Sequence, residues 1–505
     1  MPDSAARRWL ASRRLWVQLC VAAALGALAA LGQAPLDLWP LTLLAFAGLY
    51  GCYAASPGWR RATWLGLGGG AGYFAVALSW IIEPFLIDVA RHGWMAPFAL
   101  LFSAFGFALF WAGAMGLARR LGGGAVTWAA VLTLSEALRG WLWTGFPWAQ
   151  PGHVLIPTPL LHWAAVGGAL PLTLLVLLAG ASLWHLALGR RVAGGAGVAL
   201  FAALFAIVPH LGEVPAAGPD APTIRLVQPN VPQQQKWDPA HMQAHFDRQM
   251  RYTSADAPPD LIVWPETALP TLLDHAGELL DAIADAARGA PVVLGVQRAE
   301  GARYYNSLLL LDGQGREAAL YDKHHLVPFG EYVPFGDLLG RIGIRGLAQQ
   351  GGFGYSPGPG AQVIDMGAMG KALPLICYEG VFARDVAAAE GRADYLLLIT
   401  NDAWFGKVSG PFQHLAQARL RSAEQGLPMI RAANTGISAI IDAGGRITAE
   451  IPLGEAGYLD AVLPPPAPPT IYARSGDLPA LAILAFLALV PAALRRRRKP
   501  RVARG

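Results

Sequence analysis

The chain is poor in charge. Only 14% of its 505 residues are Asp, Glu, Lys or Arg, against roughly 25% in average globular proteins, while 54% are hydrophobic. That balance argues against a wholly water-soluble protein and for an integral membrane protein. Cysteine is scarce as well, with three in the chain. Cys20 and Cys52 lie in apolar segments and Cys377 stands alone in the polar part, so no intramolecular disulfide can form there. No Cys/His cluster has the spacing of a zinc site, and His324, His325 and the scattered histidines make no metal pattern, so neither metal nor other cofactor is expected. There is no phosphate-binding glycine loop and no serine–histidine arrangement. Acids are almost missing from the first 210 residues and concentrate between 213 and 460, which joins a membrane part to a soluble part. The net charge of +5 does not signal a nucleic-acid partner. The arginines sit beside apolar segments and in the tail Arg495 to Lys499, where membrane topology accounts for them.

Apolar segments run at 15–31, 36–54, 64–82, 97–117, 125–143, 160–188 and 196–210, with an eighth at 478–494. Several approach the roughly 20 residues that span a bilayer; the first, second and seventh are shorter. Arg7, Arg8, Arg13 and Arg14 precede the first segment, but no cleavage site and soluble domain follow it, so an uncleaved helix is expected. With the N-terminus in the cytoplasm, seven crossings before residue 211 and one after 477 place Arg60 and Arg61, Arg119 and Arg120, Arg190 and Arg191 and the C-terminal tail on the inner side. The expected domains are a transmembrane bundle over 1–212, an outward-facing soluble domain over 220–470, and a C-terminal span with a basic tail over 471–505. In a cell with two membranes the soluble domain faces the periplasm. Glu136 and Arg139, three apart, can pair on one helix face, either bracing the bundle or serving a lipid headgroup. The stretch from Trp141 to Trp148 reads as an interfacial aromatic belt.

In the soluble part, short apolar strands alternate with helices, which predicts an α/β layered domain of about 250 residues. Strands are expected over 223–231, 260–264, 291–297, 304–312, 317–322, 372–376, 395–400, 429–434 and 436–442, and helices over 239–254, 275–288, 381–390 and 411–426. The Pro-rich stretch 464–469 is a stiff link back to the membrane.

Three polar residues stand just beyond strand ends: Glu266, Lys323 and Cys377. An acid, a lysine and a cysteine supply a base, a cation for a developing oxyanion and a nucleophile. The run Pro374 to Gly380 reads as a buried strand ending in a sharp turn, with Cys377 exposed at the sheet edge and its thiolate favoured by the helix that follows. The competing reading makes Cys377 a small buried apolar residue.

The blocks Trp264-Pro265-Glu266-Thr267, Lys323 to Pro334 and Ile376-Cys377-Tyr378-Glu379 resemble the three signatures of the carbon–nitrogen hydrolase (nitrilase) superfamily. With the multi-span N-terminus and the single C-terminal span, the whole chain looks like the membrane-bound branch of that superfamily that acylates bacterial apolipoproteins. The resemblance implies an αββα sandwich with a Glu-Lys-Cys triad: Glu266 as base, Lys323 as oxyanion cation and Cys377 as nucleophile. It further implies Glu331 as a second acid, the Tyr378 backbone N–H in the oxyanion hole, Tyr378 and Glu379 positioning the turn, and Trp237 contacting substrate. Glu331 as a brace for Lys323 and Trp237 as a packing residue remain open. The implied donor is a phospholipid, typically phosphatidylethanolamine, and the implied acceptor is the N-terminal amine of a diacylglyceryl-cysteine on an apolipoprotein, reached through a thioester. The Gly/Pro-rich stretch 341–360, with Phe353 and Tyr355, is either a lid over the site or an ordinary loop. Two rival functions are weighed: a membrane-tethered amidase or nitrilase that deacylates with water, and a non-enzymatic scaffold or transporter.

Overall fold

The computed structural model describes residues 13–208, 214–334 and 354–498. Of the stretch read as a lid or an ordinary loop, residues 341–353, Phe353 among them, lie outside the described residues, as do Arg7 and Arg8. The chain separates into two compact units, one of Met1–Ile82, His92–Gly212 and Arg474–Gly505, the other of Glu83–Arg91 and Glu213–Ala473.

The first unit is helical, with helices Leu15–Ala30, Trp39–Ala55, Trp59–Ala77, Ala96–Arg120, Ala125–Trp141, Ala169–Ala187, Arg191–Ile207 and Leu478–Arg498 on the expected segments. Among the described residues, two helical stretches are long and apolar enough to cross a membrane alone, Val89–Arg120 and Ala169–Ala187. Trp59–Ala77 and Ser79–Leu86 reach that length only together, bent by 64°. Leu15–Ala30, Trp39–Ala55, Arg191–Ile207 and Leu478–Val490 are apolar but shorter. Small residues let these helices approach: a Cβ on Gly66 would stand 2.5 Å from the carbonyl oxygen of Trp111. Glu136 and Arg139 form a buried ion pair, and the Trp111 indole donates to Glu136 at 2.7 Å. The Arg139 guanidinium also lies over Phe74, 4.9 Å from its ring. These partners belong to other helices of the bundle, so the pair acts as a brace. The aromatic belt divides: Trp141 and Trp143 are exposed, whereas Trp148 is buried 4.7 Å from Trp80.

Among the described residues, the second unit contains twelve strands. In chain order they are β1 (Thr223–Gln228), β2 (Leu261–Val263), β3 (Val292–Glu300), β4 (Arg303–Leu311), β5 (Glu317–Asp322), β6 (Ile364–Asp365), β7 (Lys371–Ile376), β8 (Tyr395–Thr400), β9 (Met429–Ala433), β10 (Ser438–Ile441), β11 (Ile447–Ile451) and β12 (Gly457–Val462). They form two six-stranded sheets, ordered β12-β1-β2-β3-β4-β5 and β11-β10-β9-β8-β7-β6. The central strands β1, β2 and β3 are parallel, as are β7, β8 and β9, and the flanking strands are antiparallel.

Alternate residues of each strand serve different layers. Ile224, Leu226, Leu261 and Val263 meet Ile376, Leu397, Ile399 and Ile430 between the sheets. Their neighbours Val227, Ile262 and Trp264 face Phe246 of helix Pro239–Thr253 and Ile283 of helix Gly277–Ala287. On the far side Leu396 and Leu398 pack on Leu415 and Ala418 of helix Gly410–Gln425. The result is the αββα sandwich of the expectation. Each of these fully buried aliphatic side chains contributes about 1.5–3 kcal/mol, and β2 and β8, covered on both faces, read as nearly continuous apolar runs.

Candidate active site

Glu266 follows β2, Lys323 follows β5 and Cys377 follows β7, so the first two come from one sheet and the third from the other. The structure brings them together. The Lys323 ammonium stands 3.6 Å from Glu266 Oε1 and 2.9 Å from Glu331 Oε1, and all three side chains are buried. Burial works against the charge on Lys323, but Glu331 and then Glu266 outweigh it, so its pKa is raised and it stays an ammonium. Glu331 is fixed from both oxygens, by Lys323 and Asn306 on Oε1 and by the Val327 N–H at 2.8 Å on Oε2.

Glu266 is equally constrained. Asn306 Nδ2 donates to its Oε1 at 2.7 Å and the Asn401 N–H donates to its Oε2 at 2.8 Å. Its turn is seated against β3, where a Cβ on Gly295 would lie 2.3 Å from Thr267 N and 2.6 Å from Glu266 Cα. Only glycine allows the strand and the turn to approach so closely.

Cys377 departs from expectation in three respects. It is buried, at 5% exposure, rather than exposed at the sheet edge. Burial, and then the charge of Glu266, push its thiol well up; Lys323 only partly offsets this, so the resting group is a thiol and not a favoured thiolate. The expected helix over 381–390 is a 3₁₀ turn, Cys377–Val381, followed by a single short turn, Ala383–Ala387, too little to present a helix dipole. The physical reason lies in the turn itself. Cys377 adopts φ +52°, a left-handed conformation that strains a non-glycine residue and reverses the chain at once. The backbone is then satisfied by the Glu379 carboxylate, which accepts the Ile376 N–H at 2.7 Å, in place of helical bonding.

Glu379 also ties the sheets together. Fully buried, it accepts from the His324 N–H at 2.8 Å, the His325 N–H at 3.2 Å and the Tyr321 hydroxyl at 2.9 Å. It therefore sets the turn bearing Cys377 against the segment bearing Lys323. Tyr378 is buried with its ring edge-on to His325 and Phe382. Trp237 is half-buried and lines a small cavity with Lys236, Phe246, Glu266 and Asn434, so it does border the site. Tyr355, in the stretch read as a lid or an ordinary loop, donates its N–H to the Glu331 carbonyl at 3.0 Å, and its hydroxyl accepts from the Gln297 side-chain amide.

Several site residues escaped the sequence reading. Asn306 orients both acids; its signal was a lone amide in the apolar strand β4. Asn401 and Asp402 occupy the same position after β8 that singled out the other three residues. The Thr400 hydroxyl donates to Asp402 at 2.9 Å. Asp402 pairs with Arg431 at 2.5 Å, and His414 lies 2.9 Å from Asp402 and 3.3 Å from the Cys377 carbonyl. Among the described residues no group of His, Cys, Asp and Glu is arranged to hold a metal ion. The chemistry available is that of a buried thiol with a fixed carboxylate to take its proton and a fixed ammonium to face a developing negative charge.

Residues 223–466 match the carbon–nitrogen hydrolase family model, and residues 25–182 match that of the apolipoprotein N-acyltransferase N-terminal domain. The chain is 37% identical to an apolipoprotein N-acyltransferase of Rhodopseudomonas palustris over 95% of this chain and 96% of that one. It is 37% identical to one of Bradyrhizobium diazoefficiens over 95% of each chain, and 38% identical to one of Brucella melitensis over 82% and 81%. A solved carbon–nitrogen hydrolase superfamily protein of Xanthomonas campestris aligns with a TM-score of 0.36 at 20% identity, covering 55% of this chain and 97% of that one. From the matches to both domains and the near full-length identity to these relatives, the chain belongs to the apolipoprotein N-acyltransferase family.

Proposed function

We propose that this chain transfers an acyl group from a phospholipid to the N-terminal α-amine of the diacylglyceryl-cysteine of apolipoproteins, with Cys377 as the covalent carrier. The observation that carries this reading is the juxtaposition of Glu266, Lys323 and Cys377 in the hydrolase unit of a chain that also holds a helical, apolar unit.

Glu266 takes the thiol proton as sulfur attacks the donor ester carbonyl. Lys323 and the Tyr378 backbone N–H face the oxyanion. The tetrahedral intermediate collapses, the ester C–O bond breaks, and Glu266 returns the proton to the departing lysophospholipid. A thioester is left on Cys377. The acceptor amine attacks it, Glu266 takes a proton from nitrogen and returns it to sulfur as the C–S bond breaks, and an amide, the Cys377 thiol and the Glu266 carboxylate result. Amines attack thioesters faster than water does, and amide formation makes the second step downhill. A buried, strongly basic thiol suits this cycle because it reacts only where Glu266 can receive its proton. Both substrates carry acyl chains worth about 0.8 kcal/mol per buried methylene, so the reaction belongs at a bilayer surface. Phosphatidylethanolamine is the inferred donor.

The inferred location is the inner membrane, with seven crossings before the hydrolase unit and one after it, both termini cytoplasmic and the hydrolase unit periplasmic. Helices on all eight expected segments, and double arginines that this topology places on one side, support the arrangement.

The test is incubation of the purified protein with acyl-labelled phospholipid before any acceptor is added. Label on Cys377 as a thioester, with one lysophospholipid released per site, is expected, followed by its discharge onto a diacylglyceryl peptide. Absence of label on Cys377 overturns the reading, and rapid discharge to water would favour a hydrolase. The Cys377→Ala variant is expected to take no label while keeping its thermal midpoint.

A further inference from the structure

The peptide group that joins Cys377 to Tyr378 has two ends. Its N–H is the donor inferred to face the oxyanion, and its carbonyl belongs to Cys377. In a trans peptide the two point in opposite directions within one plane, so a bond that fixes the carbonyl also aims the N–H. That carbonyl lies 3.3 Å from His414 Nε2. We propose that His414 is a positioning residue of the acyl transfer: its Nε2–H binds the Cys377 carbonyl and thereby aims and polarises the Tyr378 N–H toward the oxyanion. The proposal rests on the inferred role of that N–H as an oxyanion donor and adds the group that holds it in place.

The surroundings of the ring assign its proton. His414 is buried on helix Gly410–Gln425, with Phe405 edge-on to it at 5.6 Å. Burial, joined by the charge of Arg431, lowers its pKa although Asp402 raises it, so the ring is neutral at neutral pH and carries one N–H. Two acceptors compete for that N–H: Asp402 Oδ1, 2.9 Å from Nδ1, and the Cys377 carbonyl. Asp402 has other donors, the Thr400 hydroxyl at 2.9 Å on Oδ1 and Arg431 Nη2 at 2.5 Å on Oδ2. The same Arg431 Nη2 stands 3.4 Å from His414 Nδ1, where it can donate to a bare nitrogen and screen it from the Asp402 charge. The proton therefore serves best on Nε2, against the carbonyl. Hydrogen bonds in such a chain polarise one another, so the line from Arg431 through His414 and the carbonyl strengthens the N–H at its far end. Cys377 needs such a hold, because its φ of +52° is a strained conformation that only its surroundings maintain. Glu379 fixes the chain before the cysteine through the Ile376 N–H, and His414 fixes it after through the carbonyl.

The experiment compares two reactions of Cys377 in the full-length protein in detergent. One is acylation by p-nitrophenyl hexanoate, which passes through a carbonyl oxyanion and releases p-nitrophenolate. The other is disulfide formation with methyl methanethiosulfonate, in which the thiolate attacks sulfur, methanesulfinate leaves and no carbonyl oxyanion forms. Both are read on the Cys377 peptide by mass spectrometry, so that Cys20 and Cys52 do not interfere. The amide nitrogen of a glutamine takes the place of Nε2 and that of an asparagine the place of Nδ1. His414→Asn should slow acylation by about tenfold or more, His414→Gln should stay within about threefold of wild type, and the methanethiosulfonate rate should change by less than about twofold in either. Should the asparagine variant not fold, His414→Phe, which lacks both nitrogens, takes its place. Wild-type acylation in that variant overturns the proposal, as does a glutamine variant slower than the asparagine one. An equal fall in both reactions also overturns it, because His414 would then place the thiol and not the amide. A wild type that accepts the acyl group from p-nitrophenyl hexanoate but none from phospholipid counts against the proposed function and leaves this result standing.

Discussion

Glu331 holds the Lys323 ammonium at 2.9 Å, closer than Glu266 does at 3.6 Å. The lysine is thereby kept off the base, and Glu266 retains the freedom to take a proton. Glu331→Gln removes the competing charge and turns an amide donor toward either Lys323 or the Val327 N–H. Lys323 should then close on Glu266 and tie up the base. We expect acylation of Cys377 by labelled phospholipid to slow by at least about tenfold. Breaking a buried pair costs up to about 3–5 kcal/mol, and Glu266 still satisfies Lys323, so a modest fall in thermal midpoint should accompany it. An acylation rate within twofold of wild type would show Glu331 to be only a brace.

Gly295 is the second point of control over Glu266. Its N–H bonds the Pro265 carbonyl at 3.1 Å and its carbonyl accepts the Ala268 N–H at 2.8 Å, so β3 and the turn after β2 are locked backbone to backbone. The atoms that an added Cβ would strike are backbone atoms of Pro265, Glu266 and Thr267, which cannot swing aside as a side chain would. Gly295→Ala should displace the Glu266 carboxylate from Asn306 and Asn401, slow acylation about tenfold or more, and cost about 1–3 kcal/mol. Unchanged acylation with an unchanged thermal midpoint would mean that the turn relaxes without moving the carboxylate.

Most helices of the first unit and strands such as β2 and β8 were legible because each is a largely apolar run, and Glu266, Lys323 and Cys377 because each stands just beyond a strand end. What escaped depends on partners distant in sequence. Strand β12 owes its place to β1, with Leu459 opposite Leu226 and Asp460 opposite Arg225, a pairing no local pattern announces. Strand β11 alternates between partly exposed and exposed residues until Ile451, and β6 is two residues long. The burial of Cys377 comes from the opposing sheet, and its left-handed turn is held by Glu379 through bonds to His324 and His325, 55 and 54 residues away. Local residue types pointed to an exposed thiolate; the tertiary contacts make it a buried thiol.

His324 should give the protein a pH-dependent stability. Burial disfavours its charged form, but the Glu379 carboxylate, 2.7 Å from its Nδ1, and then Asp385 outweigh that, and its pKa is raised. A raised histidine contributes stability that is complete below its unfolded value of about 6.5 and is lost as pH rises through the higher folded value. The thermal midpoint of His324→Gln should therefore fall furthest below wild type under mildly acidic conditions, with the gap narrowing toward alkaline pH. A gap independent of pH between 5 and 9 would show that the charge on His324 does not matter to folding.

Asp402 and Arg431 form the buried pair beneath the cysteine turn, both fully shielded from solvent. Burial alone would push the Asp402 carboxyl up; Arg431 and then His414 outweigh it and hold it at about 2. A depressed acid contributes stability above its unfolded value of about 3.9 and loses it as pH falls through the folded value, so this contribution is complete at neutral pH. Asp402→Asn leaves the Arg431 guanidinium buried without a counter-charge and should cost about 3–5 kcal/mol. Asp402→Asn with Arg431→Met removes both charges and should cost less than the sum of the single changes, by an interaction energy of about 1–3 kcal/mol. Because His414 reaches the Cys377 carbonyl from this pair and Asn401 precedes Asp402, the single variant should also lose acylation at temperatures where it stays folded. Thermal midpoints of the four proteins at pH 7.5, with acylation rates measured well below each midpoint, decide the matter. Strict additivity would mean that the two charges do not depend on one another, and wild-type acylation in Asp402→Asn would confine the pair to stability alone.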